Sequence, residues 1–128
     1  IMRRRQRQMC IRDRNKNISP ILLVAPNTSE KRIKKISKLA GDLIYAVSIL
    51  GITGNDLSSK NNLKNYLAKV KDNSETPFMV GFGISTNDDV NWFNSFSDGA
   101  VVGSAVIKKV LKDTKKGVVE NFVKNLKK

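Results

Sequence analysis

The chain has 128 residues, of which 40% are hydrophobic and one is cysteine, enough for a single domain with a buried core but not for an internal disulfide. Histidine is absent, which excludes Ser-His-Asp and Cys-His nucleophile systems and most zinc sites, and we expect no metal site. With no apolar run near the ~20 residues of a membrane span and no signal-peptide pattern, we expect a soluble cytoplasmic protein, a plastid origin being left open.

The formal net charge of +13 is partly concentrated in the opening segment IMRRRQRQMCIRDR. This segment holds six arginines and one aspartate, whereas Arg32 is the only arginine after it. It shows no apolar period, and such a break in composition is typical of a junction or an appendage. We therefore expect residues 1–14 to be a non-native or disordered basic segment. A basic arm that grips nucleic-acid phosphates is the alternative, but no aromatic residues are interleaved in it for base stacking.

From residue 18 onward, short apolar runs of β type alternate with amphipathic helical patterns, which is typical of a parallel sheet with crossover helices. The predicted strands are Ile21 to Ala25, Leu43 to Ile49, Phe78 to Phe82, and Ala100 to Gly103.

A helix is predicted after each strand. Ser29 or Thr28 can cap the first helix, and Ser85, Thr86 and Asp88 begin the third. The four lysines of the first helix are expected to face water. The first three helices have apolar stripes formed by Ile33, Ile36, Leu39 and Ala40, by Leu63, Tyr66, Leu67 and Val70, and by Val90, Phe93 and Phe96. A short helical run is predicted from Ala105 to Leu111. The last helix has a stripe of Val119, Phe122, Val123 and Leu126.

Four β/α units in a chain of 128 residues indicate half of a larger closed architecture. A complete (β/α)8 barrel takes about 250 residues, so residues 18–128 are predicted to form one half of a TIM barrel. The alternative is a small open parallel sheet with helices on both faces.

Chemistry in such folds lies at the carboxyl ends of the strands, and three of these ends are rich in glycine. The glycine-rich segments are 51–54, 81–83 and 103–104. Without a Cβ in the way, backbone N–H groups can approach a phosphate, and a helix N-terminus adds a favourable dipole. Ser104 can contribute both its amide and its hydroxyl. The alternative interpretation is that these glycines only form tight strand-to-helix turns. This alternative is less favoured because the glycines occur at matching ends of adjacent strands.

Four stretches carry a specific resemblance. LLVAPNTSEKRI at 22–33, IYAVSILGITG at 44–54, VGFGIS within 77–86 and DGAVVGSAVIK at 98–108 resemble, in order and spacing, consecutive motifs of tryptophan synthase α chains. The resemblance covers about residues 18–126. It implies the fifth to eighth strands of the barrel, with the first four missing, so that the chain is a fragment.

The resemblance implies a retro-aldol lyase that cleaves indole-3-glycerol phosphate to indole and glyceraldehyde 3-phosphate in tryptophan biosynthesis. Tyr45 matches a tyrosine of the substrate pocket, and Thr53 matches a threonine of a mobile loop that closes over the site. A core aromatic that fills the barrel interior is the other interpretation of Tyr45. The positions that match phosphate-binding residues of the family are Gly54, Phe82, Gly83, Gly103 and Ser104.

The acid-base machinery of the family is missing, because its glutamate and aspartate lie on early strands and no residue here matches them. Asp88 and Asp89 are interpreted as capping residues of a helix and Asp56 as a loop residue. After Gly54 the chain reads Asn55-Asp56, where many members have a small residue and arginine. We therefore predict phosphate binding without turnover, and no catalytic residue in this chain.

Partners follow from the same resemblance. Full-length relatives pair with a β subunit that carries pyridoxal phosphate, and neither that cofactor nor another is expected on this chain. A half barrel leaves strand edges unpaired, so we expect self-association, completion by the missing half or poor solubility. Two other functions stay open: another phosphate-binding barrel enzyme of tryptophan or histidine biosynthesis, and a non-enzymatic basic module that binds nucleic acid.

Overall fold

The structure is a computed structural model that describes residues 16–48, 57–81 and 83–127, apart from the side chains of residues 57–59. Segment 1–14 and the predicted site residues Thr53, Gly54 and Phe82 lie outside the described residues. Within the described residues the elements are β1 (Leu22–Val24), α1 (Glu30–Ala40), β2 (Ile44–Val47), α2 (Leu57–Asn73), β3 (Phe78–Gly81), α3 (Asn87–Asn94), β4 (Gly99–Val101), α4 (Ser104–Lys112) and α5 (Val118–Leu126).

The four strands form one parallel sheet in the order β1-β2-β3-β4. Sequential order with a helix between successive strands is the arrangement of a half barrel, and it confirms the predicted α/β architecture. The strands are shorter than predicted. β1 ends at Val24 because the N–H of Ala25 donates to the side-chain oxygen of Thr28, 2.9 Å away, instead of to a neighbouring strand.

The two faces of the sheet differ in burial. On one face, the partly buried Leu22 and Ala100 pack against five side chains beneath the helices that are at most 2% exposed: Val24, Ile44, Ala46, Phe78 and Val80. On the other face, Tyr45, Val47 and Met79 are half-buried and Leu23 is 60% exposed. An open parallel sheet covered by helices on both faces would bury both. The one-sided covering therefore fits a half barrel whose interior face, called here the inner face, is uncovered.

Helix ends are set by local hydrogen bonds. Ser29, and not Thr28, is the N-cap of α1, and its side chain accepts from the N–H of Arg32. Thr86 caps α3 in a capping box with Asp89. The lysines of α1 are exposed, as predicted from its apolar period.

Large apolar side chains are exposed at both ends of the sheet. At the β1 end, Ile21 and Leu23 are more than half exposed. At the β4 end, helix α4 packs against α5 but buries none of its own residues, and Ile107 and Leu111 are 61% and 79% exposed. These two end surfaces are where a closed barrel would continue. Across the described parts of the chain, no helix combines the length and apolarity needed to cross a membrane.

Candidate functional site

The glycine turns after β3 and β4 lie at the same edge of the sheet. β3 and β4 are parallel neighbours, and Gly81 pairs with Val101. Gly83 and Gly103 each follow that pair by two residues. Because paired strands are about 4.8 Å apart, the two turns begin side by side. This placement is what a shared phosphate site requires.

The turn after β3 needs a glycine at position 83. Gly83 has φ of 76° and is exposed, and an added Cβ there would meet nothing within 4 Å. The positive φ explains why glycine stands there, and the open space leaves room for a ligand. The next residue, Ile84, is buried in the hydrophobic core at 4% exposure, which anchors the far side of the turn.

The N-terminus of α3 is closed by its own side chains. One oxygen of the Asp89 carboxylate, Oδ2, accepts from the N–H groups of Ser85 and Thr86, each at 3.1 Å. Partial burial opposes ionisation of Asp89, but these hydrogen bonds outweigh it and hold the pKa of the carboxyl below its ordinary value. The structure thus has Asp89 in the predicted capping role, and its charge disfavours an anion at this helix end.

The N-terminus of α4 is different, because no side chain caps it. Its N-cap is Gly103, which makes no side-chain capping bond, and its first turn has no acidic residue. Both Gly103 and Ser104 are exposed, and a Cβ added to Gly103 would meet nothing within 4 Å. Uncapped first-turn N–H groups and the positive end of a nine-residue helix are suited to hold an anion.

Tyr45 lies on the inner face and alternates along β2 with the buried Ile44 and Ala46. Its ring covers Gly81, where an added Cβ would overlap the tyrosine hydroxyl. The hydroxyl therefore lies close to the start of the β3 turn. Both interpretations of Tyr45, pocket residue and interior filler, are compatible with this position.

Ser48 is a buried polar residue near the candidate site that was not among the predicted site residues. This residue is 5% exposed, and its N–H and its hydroxyl both donate to the carbonyl oxygen of Gly81, at 3.0 and 2.8 Å. The signal in the sequence was a polar residue that ends an apolar strand just before a glycine-rich segment.

The predicted site residues that the structure describes are therefore Tyr45, Gly83, Gly103 and Ser104, and Ser48 lies beside them. No group of three or more Cys, Asp or Glu that could hold a metal ion occurs within the described ranges. A cavity of about 470 Å³ lies at the β1 end of the sheet, bounded by Leu23, Val47 and the start of α1. It is separate from the turns after β3 and β4.

Comparisons of this chain with a family model and with curated relatives identify the same family. The family model of the tryptophan synthase alpha chain matches residues 3–128. That range includes most of segment 1–14, whose foreign origin stays a prediction. The tryptophan synthase alpha chain of Petrotoga mobilis is 41% identical over 120 residues, which cover 86% of this chain and 45% of the relative. That of Bacillus velezensis is 45% identical over 97 residues, covering 76% of this chain and 36% of the relative. The chain thus spans less than half the length of these curated relatives.

Solved structures agree with the fold. Tryptophan synthase subunit alpha from Campylobacter jejuni superposes with a TM-score of 0.81 at 27% identity, covering 94% of this chain and 48% of that one. A chain from Aquifex aeolicus superposes with a TM-score of 0.83 at 28% identity, covering 99% of this chain and 47% of that one. A chain of the tryptophan synthase α2β2 complex from Pyrococcus furiosus superposes with a TM-score of 0.74 at 27% identity, covering 93% of this chain and 48% of that one.

Proposed function

We propose, from the premise that the chain belongs to the tryptophan synthase α chain family, that it supplies the phosphate-binding half of a barrel that cleaves indole-3-glycerol phosphate. The products are indole and glyceraldehyde 3-phosphate. The observation that carries this proposal is the open N-terminus of α4 beside the turn after β3. An anion there would receive N–H groups from two turns, and no carboxylate opposes it at α4.

Each site residue has a role in this proposal. Gly83, Gly103 and Ser104 bind the phosphate, with Gly54 and Phe82 as further donors. The substrate then extends from the phosphate over the inner face, where the hydroxyl of Tyr45 is available to its glycerol portion. Thr53 belongs to the loop that covers the bound substrate.

The carbon–carbon cleavage itself needs an acid and a base, and the inner face of the described strands offers neither. The inner-face residues of the described strands carry no carboxylate, amine or imidazole: Leu23, Tyr45, Val47, Met79, Gly81, Gly99 and Val101. In this proposal, proton transfer at the glycerol portion and at the indole ring comes from residues on other strands. The chain by itself is proposed to bind phosphate and not to turn over substrate.

The two end surfaces support the proposal that four further β/α units complete the barrel. Ile21 and Leu23 flank one edge of the sheet and Leu111 lies beyond the other, all more than half exposed. New strands at both edges would bury these side chains together with the inner face. We propose that the completed barrel works in the cytoplasm with a β subunit that carries pyridoxal phosphate. The α2β2 complex of the Pyrococcus furiosus relative supports the pairing with a β subunit.

The experiment is a titration of the chain with glycerol 3-phosphate, in which isothermal titration calorimetry measures the heat of binding. We expect saturable binding that Ser104→Asp abolishes, because a carboxylate at the N-terminus of α4 would repel the phosphate. Ser104→Asn is the matched control, of similar size without the charge. Steady-state indole release from indole-3-glycerol phosphate should be undetectable for the chain alone. Turnover near that of intact enzymes, or equal binding by Ser104→Asp, would refute the proposal.

A further inference from the structure

The β1 end of the sheet combines exposed apolar side chains with basic ones. Ile21 and Leu23 are more than half exposed there. Helix α1 carries one acidic residue, Glu30, and five exposed basic residues: Lys31, Arg32, Lys34, Lys35 and Lys38. Arg32 borders the same cavity as Leu23 of the edge strand. Basic charge therefore reaches the apolar surface at this end.

The β4 end has the same character. Helix α4 exposes Ile107, Val110 and Leu111. The segment from α4 to the start of α5 contains one aspartate, Asp113, and five exposed lysines: Lys108, Lys109, Lys112, Lys115 and Lys116. On α5, the carboxylate of Glu120 is already paired with Lys124, 2.8 Å away. Within the described residues, no basic side chain of α1 or α4 forms an ion pair, so the positive charge at both ends is uncompensated.

A second copy of the chain would bring these two basic ends together. In the observed fold each helix packs against a neighbouring helix, α1 on α2, and α5 on both α3 and α4. A copy that continued the sheet would pair its β1 with β4 and, by the same packing, place its α1 beside α4 and α5. Twofold symmetry would repeat this contact at the other junction. Lysines of α4 would thus face the basic residues of α1 twice.

The charges at such a junction are close enough to decide which partner fits. Helices packed side by side have axes about 8–10 Å apart, and the Debye length is about 10 Å at 0.1 M salt, so charges on neighbouring helices act on one another. Like charges across an interface oppose association, whereas opposite charges favour it. The apolar side chains attract any apolar partner surface, so the selection between partners comes from the charges.

We propose that the two ends form a docking surface for a half barrel of opposite charge, whose end helices carry aspartate or glutamate around apolar residues. The basic residues of α1 and α4 exclude a second copy of this chain and pair with the carboxylates of that partner. The inference rests on the proposed completion of the barrel and adds to it the charge of the completing half. Among the outcomes expected for an open half barrel, it selects completion over self-association.

The test is charge reversal in the full chain, with self-association measured by sedimentation velocity over a range of concentrations. The first variant carries Lys108→Glu and Lys112→Glu, which make the exposed side of α4 acidic. At about 25 mM salt we expect it to self-associate at least about tenfold more tightly than the unchanged chain, because its α4 then faces the basic α1 of a second copy. Raising the salt to about 0.5 M should weaken association of the variant and strengthen that of the unchanged chain, since screening reduces both attraction and repulsion.

Further variants separate charge matching from a general loss of repulsion. Arg32→Glu with Lys35→Glu reverses the other end and should produce the same self-association. The two reversals combined set carboxylates against carboxylates, so this variant should return to the monomer although its net charge is the closest to zero. The control is Lys60→Glu with Lys71→Glu, which changes the net charge equally at exposed positions of α2, between the two ends.

Several results would overturn the inference. Tight self-association of the unchanged chain at low salt would make a second copy the occupant of the ends. Monomers in both single reversals, or equal association of the α2 control and the α4 variant, would show that the end charges do not select the partner. Circular dichroism checks that each variant is folded, and because the α1 and α4 reversals test the same contact, either one suffices. Phosphate binding by the unchanged chain is measured separately, and its absence would overturn the proposed function instead.

Discussion

The ring of Tyr45 on β2 covers Gly81 on β3, so closely that a Cβ at position 81 would overlap the tyrosine hydroxyl. Tyr45 pairs directly with Met79, so its ring leans diagonally toward the carboxyl end of β3. Met79 in turn lies against Gly99 of β4, with its terminal carbon 3.3 Å from where a Cβ of that glycine would be. Large side chains of the inner face thus rest on glycines of the next strand.

The first prediction concerns Gly81→Ala. We expect a loss of about 1–3 kcal/mol in the free energy of unfolding, because the added methyl group has to displace a packed aromatic ring or the strand beneath it. Urea denaturation followed by circular dichroism measures the change. Gly99→Ala is the matched control and should cost less, since its nearest neighbour is the flexible end of Met79, 3.3 Å away.

The partner in this contact can be tested by a double-mutant cycle. In a Tyr45→Ala background, Gly81→Ala should cost little, because the space above the glycine is then empty. In a Tyr45→Phe background the cost should persist, since the ring carbons also lie too close to an added Cβ. An undiminished cost of Gly81→Ala in the Tyr45→Ala background would contradict a direct contact between the two residues.

The second prediction concerns Tyr66→Phe. The buried hydroxyl of Tyr66 on α2 donates to the carbonyl oxygen of Val24, 3.0 Å away, at the end of β1. Its removal should destabilise the chain by about 1–2 kcal/mol, because a buried carbonyl loses its donor. Replacement of the exposed Lys64 by alanine on the same helix should have a smaller effect.

Alkaline pH provides an independent check on Tyr66. Burial raises the pKa of Tyr66 above its usual value of about 10. The neutral form is therefore favoured in the folded chain, and its contribution to stability is complete below about pH 10 and is lost as pH rises further. The stability difference between the unchanged chain and Tyr66→Phe should shrink above that pH, and a constant difference would contradict the assignment.

The third prediction concerns Asp89→Asn. Partial burial raises the pKa of Asp89, but the stronger combined effect of the hydrogen bonds from Ser85 and Thr86 lowers it. A lowered pKa gives stability that is present above the unfolded value of about 3.9 and is lost as pH falls through the folded pKa. Asp89→Asn should therefore be less stable than the unchanged chain at pH 7, and the gap should narrow in acid. Urea midpoints at pH 7, 5 and 3 measure this, and Asp88→Asn, whose carboxylate is exposed, serves as the control.

The fourth prediction concerns the end surface on α4. Leu111 is 79% exposed, so Leu111→Ser should leave the stability of the isolated chain nearly unchanged. If this surface associates with another chain or with the missing half, the same change should weaken that association. Sedimentation velocity over a range of concentrations measures it, with Lys112→Ser on the same helix as the control. Equal effects of the two substitutions would argue against an apolar contact at α4.

The sequence by itself determined the order and type of the elements, because the signals are local. The apolar period of α1, with Ile33 and Ile36 facing the sheet and lysines facing water, depends on residues three and four apart. The strands were predicted to within two residues of their observed ends, and the resemblance at 44–54 and 98–108 pointed to the candidate site. These features need no knowledge of distant contacts.

Only the tertiary structure decided which polar groups pair with one another around the candidate site. Ser48 and Gly81 are separated by 33 residues, so the hydrogen bond from the Ser48 hydroxyl to the Gly81 carbonyl cannot be derived from sequence spacing. Both α3 and α4 begin with residues that favour a helix start. The side chain of Asp89 caps the N-terminus of α3, whereas Gly103, the N-cap of α4, makes no side-chain hydrogen bond. The reason is physical: periodicity fixes which face of an element is buried, whereas the partner of each donor depends on which strand comes to lie beside it.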